Sequence, residues 1–66
     1  MQIIINGQER ILPDGTSLSQ AVAQCAKRPE LVIVELNGKI VERKAWPDTA
    51  LAAGDRVELV TFVGGG

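Results

Sequence analysis

The chain contains no histidine, no tyrosine and a single cysteine, Cys25. Without histidine, these residues hold neither a Ser-His nor a Cys-His nucleophile, nor a histidine-ligated metal site. A lone cysteine makes no disulfide within the chain. Aromatic residues are 3% of the sequence, so the core has to be mostly aliphatic. The formal net charge of −1 leaves no electrostatic footprint for nucleic acid or a membrane surface. No apolar run approaches a membrane span or a secretory h-region, and a soluble, cytoplasmic protein is expected. Sixty-six residues, 45% of them hydrophobic, supply one small core and little room for an enclosed pocket. Such a chain is expected to enter catalysis as a substrate or subunit and not as a stand-alone enzyme.

What is present reads as alternating strands and one helix. Gln2-Ile3-Ile4-Ile5 is β-branched and continuous, as in a central strand covered on both faces. Asn6-Gly7 follows with hairpin chemistry, because a type I′ turn needs positive φ at both central residues. Gln8 to Leu12 returns as a more polar strand, and Pro13-Asp14-Gly15 ends it. Ser17-Leu18-Ser19-Gln20 fits a capping box. Leu18, Ala21, Val22, Cys25 and Ala26 then fall on one apolar helical stripe, with Lys27 and Arg28 complementing the dipole in the last turn before Pro29. Cys25 lies on that stripe and is assigned to the core.

Leu31 to Leu36 is a third strand, and Asn37-Gly38 turns it into a short fourth, Lys39-Ile40-Val41. The Pro-interrupted stretch from Glu42 to Asp48 suits a 3₁₀ turn, with Trp46 covering the core. Arg43 and Lys44 in this stretch read either as docking charges or as solvated surface. Gly54-Asp55 leads into the last strand, Arg56 to Val63. There Val57 and Leu59 share a face with Thr61 and Val63, whereas Glu58, Val60 and Phe62 share the other. Glu58 marks that second face as solvent-facing, which makes Val60 and Phe62 an exposed apolar pair. The expected core is therefore Leu18, Val22, Cys25, Ile33, Val57 and Leu59. One helical stripe needs one sheet face, so the fold class is α+β. With the first and last strands parallel at the centre, the arrangement is a β-grasp: a mixed four- to five-stranded sheet crossed by one helix.

The chain closes with Val63 and three glycines, Gly64, Gly65 and Gly66. Residues 1–62 are expected to form the domain and 63–66 a flexible tail. Taken alone, the glycines fit a frayed end as well as a terminus delivered into another protein's active site.

Val32-Ile33-Val34-Glu35-Leu36-Asn37-Gly38-Lys39-Ile40-Val41, then Arg43 and Trp46, Gly54-Asp55-Arg56-Val57-Glu58-Leu59-Val60 and the closing Gly65-Gly66 together resemble the ThiS family of sulfur carriers. The resemblance runs over essentially the whole chain and implies a ubiquitin-like β-grasp that serves as a reagent in thiamine thiazole biosynthesis. It implies that a ThiF-type adenylyltransferase activates the Gly66 carboxylate with Mg-ATP, which is that enzyme's cofactor; none is bound here. A sulfur donor such as a cysteine desulfurase would convert the adenylate to a thiocarboxylate, and a ThiG-type thiazole synthase would take the sulfur. Val60, Phe62 and Val63 are the expected partner-binding residues and Gly66 the modified one; no catalytic or metal-binding residue is implied. Gly64 departs from the minimal pattern, which needs two glycines. Two rivals share the fold: the small subunit of molybdopterin synthase, with the same thiocarboxylate chemistry, and a ubiquitin-like interaction or modifier module in which Gly66 is inert or joined to lysines.

Overall fold

The computed structural model describes residues 1–61. Strands β1 (Gln2–Ile5) and β2 (Gln8–Ile11) are followed by helix α1 (Leu18–Cys25), then β3 (Val32–Leu36), β4 (Lys39–Val41) and β5 (Arg56–Thr61). Short 3₁₀ turns cover Pro29–Leu31 and Arg43–Asp48. The five strands form one mixed sheet in the order β2-β1-β5-β3-β4. β1 and β5 run parallel at its centre, and the other neighbours are antiparallel. This is the β-grasp order expected from the sequence.

Local chemistry explains the connections. Asn6 and Asn37 have φ of 50° and 52°, followed by Gly7 at 79° and Gly38 at 85°. Both hairpins thus place two positive φ values in succession, which asparagine tolerates and glycine accepts without strain. The capping box forms in full. The Gln20 N–H donates to Ser17 Oγ at 3.1 Å, and the Ser17 N–H donates to Gln20 Oε1 at 2.9 Å. The helix ends at Cys25, so Lys27 and Arg28 lie beyond its last turn and do not complement its dipole as expected.

α1 buries Leu18, Ala21 and Val22 against Ile3, Ile5, Val32, Val34 and Val57 of the sheet, with Leu12, Trp46 and Leu51 closing the edges. Of the expected core, Leu18, Val22 and Val57 are buried; Cys25 and Leu59 are half-buried and pack at its rim. Ile33 is a correction. Side chains alternate along a strand, and the buried residues of β3 are Val32 and Val34, so Ile33 points to the opposite face. The sheet's outer face has no second layer among the described residues, so β1 is covered on one face only, leaving Gln2 exposed and Ile4 half-buried.

Arg43 resolves the choice left open between docking charge and solvated surface: it is a structural clamp. Its guanidinium donates to the carbonyls of Pro29 (2.8 Å), Glu30 (3.0 Å) and Val32 (3.4 Å) and lies 4.6 Å from the centroid of the Trp46 ring. Trp46 is buried, and its Nε1–H donates to the Val41 carbonyl at 3.0 Å. One side chain therefore ties the turn before β3 to the turn after β4. Lysine cannot reproduce that planar fork, so Arg43→Lys is expected to destabilise the domain by roughly 1–3 kcal/mol in chemical denaturation. An unchanged midpoint would show that the clamp is dispensable.

Candidate functional site

The resemblance places the expected chemistry at the end of the chain, beyond β5. Its first residues are fixed by the second hairpin. The Arg56 N–H donates to Asn37 Oδ1 at 2.9 Å, while Asn37 Nδ2–H donates to Asp55 Oδ1 at 3.1 Å. Asp55 Oδ2 in turn accepts the Ala52 N–H at 2.8 Å. Its far end is fixed by the first hairpin, where Asn6 Oδ1 accepts the Leu59 N–H at 2.8 Å. Both asparagines therefore serve twice, as turn residues and as side-chain anchors for the strand that leads out of the domain.

On the outer face of the sheet, Val60 sits directly across from Ile33 on β3. Val60 is 51% exposed, as the alternation along β5 predicts, and Ile33 is half-buried beside it. The next rung on the same face sets Glu58 against Glu35, and Ile40 of β4 follows, 69% exposed. Like charges directly opposite on neighbouring strands repel. Neither carboxylate has an ion-pair partner among the described residues. The face is thus an apolar strip bordered by acidic groups. The Glu30 carboxyl, on the turn before β3, is held below its ordinary value by its own backbone N–H and then by Arg28 at 3.2 Å; it is exposed and marks a turn.

Phe62, Val63, Gly64, Gly65 and Gly66 lie outside the described residues. Beside the root of that segment is an open crevice between α1 and β5. It is lined by Asn6, Cys25, Ala26, Lys27, Arg28, Val32, Leu59 and Thr61. Among the described residues, no group of three His, Cys, Asp or Glu side chains is placed to hold a metal ion. No described helix is long and apolar enough to cross a membrane.

The sequence profile of the ThiS family matches residues 3–66. The chain belongs to the ThiS family. Its fold matches the crystal structure of the thiamine biosynthesis protein ThiS from Geobacter metallireducens, with a TM-score of 0.86, 33% identity and 100% coverage of both chains. Two curated relatives are thiazole synthases. That of Paramagnetospirillum magneticum is 32% identical and that of Magnetococcus marinus 35% identical, each over all 66 residues of this chain. The chain spans about 20% of the length of each of these relatives. Val60 lies on the open face of this β-grasp, and Thr61 is the last described residue.

The sequence reading puts Ile33 in the core, although Glu35, two residues on, carries the signal that its face is the solvent side. The anchoring by Asn6 and Asn37 had no such signal, because their partners lie 53 and 19 residues away.

Proposed function

We propose that this protein is the sulfur carrier for thiazole formation in thiamine biosynthesis, with Gly66 as its reactive residue. The full-length match to a ThiS structure at a TM-score of 0.86 carries this proposal. The similarity of the whole chain to part of two thiazole synthases favours thiazole synthase as the acceptor over molybdopterin synthase. In this scheme the Gly66 carboxylate attacks the α-phosphorus of ATP in a ThiF-type adenylyltransferase, and pyrophosphate leaves. A carboxylate is a poor electrophile until AMP provides a leaving group. The persulfide of the donor, such as a cysteine desulfurase, then adds to the carbonyl carbon and displaces AMP, and a thiol reductant cleaves the resulting acyl disulfide to release the thiocarboxylate. The thiocarboxylate then exchanges its sulfur for a carbonyl oxygen of the acceptor substrate on thiazole synthase in the cytoplasm, which regenerates the carboxylate. Glycine presents the least hindered carbonyl to each nucleophile. Val60, Phe62 and Val63 contact the partners, and Gly64 and Gly65 serve as the narrow lead-in.

Intact-mass spectrometry after incubation with the adenylyltransferase, Mg-ATP and a sulfur source tests the scheme. One oxygen should be exchanged for sulfur, with fragmentation placing it at Gly66. Sulfur on Cys25, or no adenylation, would refute it. The docking role of the open face makes a separate prediction. Val60→Asp adds a third carboxylate to the Glu35–Glu58 face without touching the core, so the domain should stay folded. Its affinity for the adenylyltransferase should fall by roughly 1–4 kcal/mol in calorimetric titration. Equal affinity in the folded variant would remove Val60 from the interface.

A further inference from the structure

We propose that Asn6 is a positioning residue for the C-terminal segment, its side-chain oxygen replacing a main-chain carbonyl to hold the last two-sided rung of β5. This inference rests on the sulfur-carrier reading for its catalytic consequence. Its structural basis stands apart from that reading.

β1 and β5 pair over Ile4–Arg56 and Ile5–Val57, and β1 then ends in the hairpin. In a parallel ladder, a residue donates its N–H to one position of its neighbour and accepts an N–H from two residues further along. Asn6 makes the first of these bonds from its main chain, donating its N–H to the Val57 carbonyl at 2.9 Å. The second comes from its side chain: Oδ1 accepts the Leu59 N–H at 2.8 Å. The residue that turns the chain away, with φ of 50°, thus supplies from its side chain the acceptor the next rung needs. Past Leu59, the β1 side of β5 meets the crevice lined by Cys25, Lys27 and Arg28 instead of a strand. The β3 side continues to the Val32–Thr61 pair. Among the described residues, Leu59 is therefore the last point at which β5 is held from both sides.

The consequence is preorganisation. A partner that receives the C-terminus has to align Gly66 with a bound nucleotide, and small displacements of a reacting group are expensive in rate. With Leu59 anchored, Val60 and Thr61 enter the complex already aligned. With the anchor lost, the partner has to order them at the moment of reaction. The Val60–Ile33 pairing lies on the β3 side and is untouched, so docking and alignment separate into KM and kcat.

Asn6→Gly tests the effect, because glycine retains the positive φ while removing the side chain that carries the acceptor oxygen. Asn6→Ser, whose shorter hydroxyl falls short of that position, is the second variant. Asn6→Asp keeps both the turn and the acceptor, and is the rescue. In adenylation assays with the ThiF-type enzyme, Asn6→Gly and Asn6→Ser should lower kcat roughly tenfold to a hundredfold with little change in KM. Asn6→Asp should recover most of kcat. Amide hydrogen exchange should accelerate at Leu59 and Thr61 in the Gly and Ser variants while the α1 amides keep their protection. Wild-type kcat in the Gly variant would overturn the catalytic role. Unchanged exchange at Leu59 in both variants would overturn the anchor itself. A wild-type chain that the enzyme does not adenylate would refute the sulfur-carrier reading, and the exchange data would then decide the anchor alone.

Discussion

Deleting Gly66 is expected to abolish sulfur transfer and to leave the thermal transition of the domain where it was. The stability half follows from where the buried residues are. Among the described residues they run from Ile3 to Val57, and glycine has no side chain to add to them. Every described anchor of β5 also lies at or before Thr61. The functional half follows from length and chemistry. Removing one residue withdraws the terminal carbonyl by roughly 3.5 Å, about the whole separation allowed between reacting atoms in a near-attack geometry. The new terminus, Gly65, is chemically equivalent, so a loss of transfer reports position and not reactivity. Intact-mass spectrometry of the shortened chain, beside a thermal melt of both proteins, reads the two halves together. A shortened chain that still acquires sulfur at Gly65 would show that the partner tolerates either length, which would also assign a use to the third glycine. A large fall in melting temperature would instead mean that residues 62–66 contribute to the fold.

The features legible in the sequence were those whose causes are local. The capping box needs only Ser17 and Gln20, and it forms as expected. The two Asn-Gly turns need only their own backbone, and both adopt paired positive φ. The faces of β5 were readable because Glu58 breaks its apolar run and sets the parity. In β3 the same information was present but weaker, since Glu35 is the one polar residue of the strand and sits near its end. Features that depend on distant partners were not readable. Arg43 reaches carbonyls 11 to 14 residues earlier, and nothing in its neighbourhood distinguishes such a clamp from a solvated cation. The carboxamides of Asn6 and Asn37 act on β5, whose placement between β1 and β3 is a property of the whole topology. The anchors of β5 were therefore not legible from the sequence, although the strand they hold was.

Leu18→Ala and Ile33→Ala, each removing a large aliphatic side chain, are expected to differ severalfold in their effect on stability. Leu18 is fully buried at the first turn of α1, where its N–H also donates to the Thr49 carbonyl at 2.7 Å. Its side chain joins the helix to the buried faces of β1, β3 and β5. Truncation loses the transfer energy of the removed atoms and leaves a cavity in a close-packed interior, a loss of roughly 2–5 kcal/mol. A domain of this size has a total stability on the order of 3–10 kcal/mol, so Leu18→Ala should bring it to the edge of unfolding at room temperature. Ile33 stands on the open face with Val60 as its cross-strand neighbour. Truncation there removes a half-exposed contact and opens no cavity, and the expected loss is about 1 kcal/mol or less. Urea denaturation of both variants measures the difference, with equal slopes required for the comparison to hold. Equal losses would mean that Ile33 packs in the core after all, which would turn β3 over by one residue and take Val32 and Val34 off the helix. The second variant also reports on function. If Ile33 and Val60 form one docking strip, Ile33→Ala should weaken binding to the adenylyltransferase while barely moving the denaturation midpoint.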